Sequence, residues 1–298
     1  MPYLLQQLAN AVPLAALYAA LAFGYALAFG MTRRPDITYG ALFAFSGQIY
    51  LLFVEAGWNR LHLVFAAAIA LGAGVALAYS LVTGFWIARS VTQPLYRRSP
   101  NAVLVAWLAV LVLLSESARL AMGSRALWLP PFLNHPVEFW RQGGFAVTLT
   151  VIQLINAAIM LAIVAAGHLV LTFGRAGRLW RAVSQDPFAA ELCGTNSAGV
   201  FLASYGAATA IAAVCGLLAT SYYGTMDFAA GLMFGLKVVL IAAAGGSAVP
   251  LRASAGAAAV GLVETLWSGY APLVWRDLVV ISLLVVVLVA SRREPSVP

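Results

Sequence analysis

Lys237 is the residue of this chain whose chemistry is hardest to explain by packing alone. It is the only lysine, and it lies inside an apolar stretch. A charge at the centre of a bilayer costs roughly 2.5–3.5 kcal/mol on insertion scales, so such residues usually face protein or water and pair with an opposite charge. Asp227 is too far away in sequence to share one helix face, whereas Glu264 and Glu116 are alternative partners. Three roles stay open: a cation near a substrate carboxylate, a structural ion pair, and snorkelling to the membrane surface.

Residues that could perform catalysis are scattered. His62, His135 and His168 stand in separate segments, and H-E-x-x-H is absent. The nucleotide-binding pattern G-x-x-x-x-G-K-[ST] is also absent. Cys193 and Cys215 lie far apart without C-x-x-C, which favours two reduced thiols. The sequence therefore predicts that the chain is not an enzyme and that it binds no metal or cofactor itself.

A short segment between two apolar stretches carries clear helix signals. Asp186 can cap free N–H groups, and Pro187 suits the first helical position. Gly194 is a typical stop. Phe188 and Leu192, four residues apart, share one face of the helix predicted over 187–193. Such a short helix is marginal alone, so we expect it to pack against something. The alternative is an ordinary interfacial loop packed on its own protein.

The composition indicates a protein that crosses a membrane many times. Of the 298 residues, 63% are hydrophobic and 9% are charged, with a mean hydropathy of +0.92. A soluble domain carries about 25% charged residues, so lipid must surround most of this surface. The net charge of +7 does not indicate nucleic-acid binding, because the basic residues form short clusters between apolar stretches.

Nine apolar stretches predict an all-α, polytopic transmembrane helical bundle, with eight to ten spans as the expected range. We expect a single transmembrane domain over 1–298. Placing the arginine-rich loops in the cytoplasm puts the N-terminus outside and the C-terminus inside. Residues 123–143 then form the longest external loop. The nine predicted spans are 11–30, 37–54, 61–88, 102–122, 145–173, 200–220, 228–245, 253–270 and 278–290.

Two segments of the chain resemble each other. Residues 36–43 (DITYGALF) and 227–234 (DFAAGLMF) both follow an aromatic residue and a glycine. In the predicted topology they run in opposite directions, as in inverted repeats with broken helices, which point to a transport pathway. The alternative is a chance similarity in a chain rich in Gly, Ala and Phe. The predicted pathway residues are Asp36, Tyr39, Gly40, Asp227, Gly231, Lys237 and Glu264.

The capped segment also carries a family resemblance. Phe188, Ala189, Ala190 and Gly194 resemble the E-A-A-x-x-x-G signature of ABC importer permeases, with Phe in place of Glu. The wider string 177–196 (GRLWRAVSQDPFAAELCGTN) resembles the branched-chain amino-acid permeases in particular. Similar patterns occur near both ends of the chain, but residues 36–39 and the Gly-rich turn 245–252 depart from the family's usual form.

The resemblance implies a function and a set of partners. Residues 174–197 would form a cytoplasmic loop whose coupling helix docks on an ATPase; its residues are Asp186, Pro187, Phe188, Ala189, Ala190, Leu192 and Gly194. The chain would be a permease subunit in a bacterial inner membrane, importing branched-chain or related amino acids. Its partners would be two ATPase subunits that bind ATP and Mg²⁺, a second permease subunit and an extracytoplasmic solute-binding protein. A secondary transporter driven by an ion gradient and an intramembrane enzyme are the alternatives.

Overall fold

A computed structural model describes residues 2–142, 145–245 and 249–291. Within these ranges the regular secondary structure is helical apart from one pair of antiparallel strands, which confirms the predicted all-α membrane bundle. The helices are α1 (Pro2–Thr32), α2 (Thr38–Asn59), α3 (Phe65–Ile87), α4 (Gln93–Arg98), α5 (Pro100–Ala121), α6 (Val151–Phe173), α7 (Arg175–Gln185), α8 (Pro187–Leu192), α9 (Ser197–Tyr223), α10 (Ala230–Gly245), α11 (Pro250–Tyr270) and α12 (Arg276–Ser291). A π-helical turn, Ala88–Thr92, joins α3 to α4, and a 3₁₀ turn, Leu273–Trp275, precedes α12.

Six helices of the described chain are long and apolar enough to cross a membrane: α1, α2, α3 with its extension to Tyr96, α5, α6 and α9. They correspond to the first six predicted spans. Helices α10 and α12 have 16 residues each, about 24 Å, which is short for ~30 Å of hydrocarbon. The predicted count of nine spans is therefore not confirmed.

The predicted start of the fifth span, at Phe145, is wrong. Strand β2 (Phe145–Thr150) pairs antiparallel with β1 (Pro136–Gln142), and α6 begins only at Val151. Along β2 the side chains of Val147 and Leu149 alternate inward, as a half-buried strand requires. The apolar composition of this stretch predicted a membrane span, whereas its two-residue alternation is typical of a strand.

Contacts between helix ends and loops support the predicted division into two sides. On one side, the Tyr3 hydroxyl donates to the Gly269 carbonyl (2.7 Å), and the Leu129 N–H donates to the Gly224 carbonyl (2.8 Å). On the other side, Arg33 donates to the Ser184 carbonyl (2.7 Å). Each contact joins segments predicted on the same side. We call the side with Arg33 and α7 the arginine-rich side; that it faces the cytoplasm stays a prediction. Residues 292–298, with the predicted C-terminal arginines, lie outside the described ranges, as do residues 246–248 of the Gly-rich turn.

The centre of the bundle is formed by α1, α2 and α9, whereas α3, α5 and α6 are mostly exposed and lie at the periphery. Helices α2 and α10 cross at glycines: a Cβ on Gly40 would overlap the Gly235 Cα and the Gly231 carbonyl oxygen. Only hydrogen side chains allow this approach, so the G-x-x-x-G of α10 is a packing element. Gly40 and Gly231 are equivalent positions of the two similar segments, and so are Phe43 and Phe234, whose ring centroids lie 4.9 Å apart.

Candidate functional site

A cluster of four charges joins α10, α11 and α12. The Lys237 ammonium donates to Glu264 Oε1 at 2.9 Å and to Asp277 Oδ1 at 3.0 Å. Arg276 Nε lies 3.5 Å from Glu264 Oε1 and 3.3 Å from Asp277 Oδ1. The Tyr18 hydroxyl, from α1, donates to Glu264 Oε2 at 2.8 Å. We call these five residues the charge cluster. Of the partners considered for Lys237, the structure selects Glu264 and adds Asp277, so the ion-pair role is present.

The charge cluster forms one wall of a cavity of about 400 Å³. Apolar side chains form most of the remaining surface, including those of Leu14, Phe43, Met226, Met233 and Phe234. A cavity of this size, apolar with a few convergent polar groups, is typical of a small-molecule site.

The structure divides the predicted pathway residues into three groups. Asp227, Lys237 and Glu264 line the cavity. Gly40 and Gly231 lie at the crossing of α2 and α10 instead. The remaining two, Asp36 and Tyr39, are buried at the start of α2 and are not among the residues that line the cavity.

Asp36 belongs to a closed hydrogen-bond network. Its Oδ1 accepts from the Thr38 N–H (2.9 Å) and the Thr38 hydroxyl, and its Oδ2 accepts from the Tyr205 hydroxyl (2.7 Å). Burial raises the pKa of the Asp36 carboxyl, although the hydrogen bonds from Thr38 and Tyr205 lower it. The network fixes the start of α2 against α9. Nearby, the Tyr39 hydroxyl is buried and has no hydrogen-bond partner among the described residues.

The short helix of the capped segment is present as predicted. Asp186 Oδ1 accepts from the N–H groups of Phe188 (2.9 Å) and Ala189 (3.0 Å), so its side chain caps α8. Gly194 ends the helix with φ +81°, a conformation that favours glycine. The apolar face is not packed on this chain: Phe188 is 69% exposed and Leu192 75% exposed. The exposed face makes α8 a second candidate site, for a protein partner.

Helix α7, which the sequence analysis did not predict, attaches α8 to the bundle. Its Trp180 is buried and donates from Nε1 to the Leu27 carbonyl of α1 (3.2 Å). The indole fits against Gly30, where a Cβ would overlap the ring. The helix is strongly amphipathic, which suits a position at the membrane surface. The α7–α8 pair is therefore held to the end of α1 on the arginine-rich side.

Comparison with known proteins identifies the family. The family described as branched-chain amino acid transport system, permease component, matches residues 7–288. The chain belongs to this family. It is 27% identical over 294 residues to the high-affinity branched-chain amino acid transport system permease protein LivH of Escherichia coli strain K12, covering 96% of this chain and 93% of the relative. Similarity to the corresponding protein BraD of Pseudomonas aeruginosa is 24% identity over 288 residues, covering 95% and 92%. No solved structure matches significantly.

Membership confirms the predicted resemblance and a multi-pass membrane protein of transport-permease type. Three residues of the charge cluster were not predicted as site residues from the sequence: Tyr18, Arg276 and Asp277. A usable signal existed for two of them, because Arg276 and Asp277 stand directly before an apolar stretch and follow a span that contains Glu264. Tyr18 gave no such signal, since tyrosines are common in membrane helices.

Proposed function

We propose that this chain is a membrane permease subunit of an ATP-driven ABC importer for branched-chain or related amino acids. The observation that carries the proposal is the exposed apolar face of α8, presented on the arginine-rich side by a helix pair anchored to α1. The names of the relatives, which are permease proteins of branched-chain amino acid transport systems, support the solute class.

In this proposal the permease has two tasks. Its helices form part of the solute pathway, and α8 docks on an ATPase subunit that binds ATP and Mg²⁺. A second permease subunit, a second ATPase subunit and an extracytoplasmic solute-binding protein complete the importer. The chain lies in the inner membrane of a bacterium, with the N-terminus outside and the C-terminus in the cytoplasm.

The docking role of α8 is tested by adding a charge to its apolar face. In proteoliposomes that contain the complete importer, Phe188→Asp or Leu192→Asp should lower ATP-driven leucine uptake at least about tenfold, because central apolar residues often contribute 2 kcal/mol or more to an interface. ATPase chains should also co-purify less with these variants, while their insertion into the membrane stays normal.

Cys193→Asp is the matched control, because it adds the same charge one residue beyond Leu192, at an exposed position off the Phe188 face. It should retain most of the uptake. Normal uptake by both Phe188→Asp and Leu192→Asp would refute the assignment of α8 as the coupling helix.

A further inference from the structure

The polar groups around the cavity differ in how available they are. Lys237 and Glu264 are buried, with side chains only 11% and 4% exposed, and bind each other. The side chains of Arg276 and Asp277 are 35% and 44% exposed. Asp227 is also exposed and lines the same cavity. Lys237 and Glu264 line the cavity but already bind each other, so the more available groups for an entering molecule are one guanidinium and two carboxylates.

The buried pair holds the more exposed charges in place. Lys237 bonds to Asp277, and Glu264 lies within ion-pair distance of Arg276, so each partly exposed group is fixed by an opposite buried charge. Tyr18 in turn fixes the second oxygen of Glu264. Charges held in this way lose little conformational freedom when a ligand binds, which favours recognition over nonspecific attraction.

The other side of the cavity suits an apolar group. Phe43 and Phe234 form a tilted aromatic pair there. Met226 and Met233 add unbranched side chains, which adapt to apolar groups of different shape. The volume of about 400 Å³ lies in the usual range for small-molecule pockets.

We infer that this cavity binds a neutral amino acid with an apolar side chain, as a zwitterion. Arg276 binds the carboxylate, Asp277 and Asp227 bind the ammonium group, and the two phenylalanines contact the side chain. Lys237, Glu264 and Tyr18 are positioning residues. The inference rests on the proposed function, because it assigns the solute of the importer to a place on its route through this subunit.

The arrangement also predicts which molecules are rejected. A carboxylate without an ammonium group would bring no cation to Asp227 and no further donor to Asp277. An amine without a carboxylate would leave Arg276 without its ligand. Both would lose charge-assisted hydrogen bonds that the zwitterion makes, so selection acts on the pair of charges.

Alkylation of a cysteine placed in the cavity tests the inference without a binding protein. Met233 lines the cavity and is 51% exposed, so Met233→Cys gives a reactive thiol there. Cys193→Ser removes the exposed native thiol, and Cys215 is buried. The permease, its partner permease and the ATPases are reconstituted in nanodiscs, and the rate of reaction with a small maleimide is measured.

Three probes of similar shape are compared: leucine, 4-methylpentanoate, which lacks the ammonium group, and isopentylamine, which lacks the carboxylate. Leucine alone should slow the alkylation. Asp277→Asn or Arg276→Gln should raise the leucine concentration needed for protection at least about tenfold, as expected when a hydrogen bond between charged groups is lost. Glu116→Gln is the matched control, because it neutralises another half-exposed, ion-paired carboxylate outside the cavity, and it should change nothing.

Absence of protection by leucine, equal protection by either single-charge probe, or protection that Asp277→Asn and Arg276→Gln both leave unchanged would overturn the inference. Uptake of leucine by the wild-type importer, measured separately, tests the proposed function. ATP-driven uptake without protection refutes only the cavity site. Charge-dependent protection without ATP-driven uptake refutes only the proposed importer function.

Discussion

Asp36 and Glu264 are both buried carboxylates, and their surroundings differ in kind. Asp36 receives hydrogen bonds from a backbone N–H and two hydroxyl groups, all close to the start of α2. Glu264 is bound by charged groups from α10 and α12 and by Tyr18, and it lines a cavity. The first network is closed around its carboxylate. The second leaves Arg276 and Asp277 partly exposed to an incoming molecule.

The comparison also separates the two similar segments of the chain. Asp36 starts the first segment and is buried, whereas Asp227, its equivalent in the second, is exposed to the cavity. The two segments nevertheless pack on each other through equivalent residues, Gly40 with Gly231 and Phe43 with Phe234. The two similar segments therefore begin with an aspartate in different surroundings. Asp36 lies in a closed hydrogen-bond network, and Asp227 lies at the open, charged cavity.

The largest expected effect comes from Lys237→Met. Removal of this cation leaves Arg276 as the remaining cation beside Glu264 and Asp277 in the charge cluster. Breaking a buried ion pair typically costs about 3–5 kcal/mol, so the unfolding temperature in detergent should fall strongly and leucine protection should be lost. Leu236→Met is the control, because Leu236 directly precedes Lys237 and is exposed. It should have little effect. An unchanged unfolding temperature for Lys237→Met would contradict the role of the cluster in stability.

A second variant acts on the contact between the two segments. In Gly40→Ala the new methyl group would overlap backbone atoms of Gly235 and Gly231, which cannot rotate away. We expect a loss of about 3 kcal/mol, the upper part of the usual range for overpacking, with a lower unfolding temperature. Gly74→Ala provides the control, because a Cβ on Gly74 would meet no atom within 4 Å. If both variants unfold at the same temperature, α2 and α10 are not in such close contact.

A third variant tests whether Asp36 serves only the fold. Asp36→Asn keeps the size of the side chain but replaces Oδ2 by a donor, so the Tyr205 hydroxyl loses its acceptor. The loss of this buried hydrogen bond should cost about 1–2 kcal/mol, seen as a lower unfolding temperature. Protection of Met233→Cys by leucine should persist. Loss of that protection in a folded variant would instead place Asp36 in the solute pathway, as the sequence predicted.

The smallest effect on stability and uptake is expected for an ion pair that contacts neither the Asp36 network nor the charge cluster. Glu116 and Arg119 form an exposed pair at 2.6 Å on α5. Exposed pairs contribute at most about 1 kcal/mol, so Arg119→Gln should shift the unfolding temperature by little and leave uptake unchanged. A large shift would show that exposure in this structure is a poor guide to which charges matter.

Local signals predicted local structure well. The cap at Asp186, the stop at Gly194 and the shared face of Phe188 and Leu192 depend on residues a few positions apart, and all are found in α8. Long-range contacts were predicted only as alternatives. Glu264 was one of two carboxylates considered for Lys237, because the sequence does not reveal how α10 and α11 pack.

The failures have physical causes of the same kind. Asp277 is 40 positions from Lys237, and only the approach of α12 to α10 brings the two together. Strand β2 was predicted as part of a span because its residues are mostly apolar. Its strand structure depends on pairing with β1, which lies outside that stretch. Helix α7 has a polar face and little total hydrophobicity. The positions of the apolar stretches therefore did not predict it.

The hydrogen bond of the Trp180 indole links α7 to the helix that carries Tyr18 of the charge cluster. The indole is bonded to Leu27, nine positions along α1 from Tyr18, or about 14 Å at 1.5 Å per residue. Helix α1 is continuous from Pro2 to Thr32, so Leu27 and Tyr18 lie on the same helix. A displacement of α7 together with the indole would therefore also displace the hydroxyl that binds Glu264, if α1 moved as one body. Helix α1, to which the α7–α8 pair is attached, thus also carries the hydroxyl that binds Glu264 in the cavity.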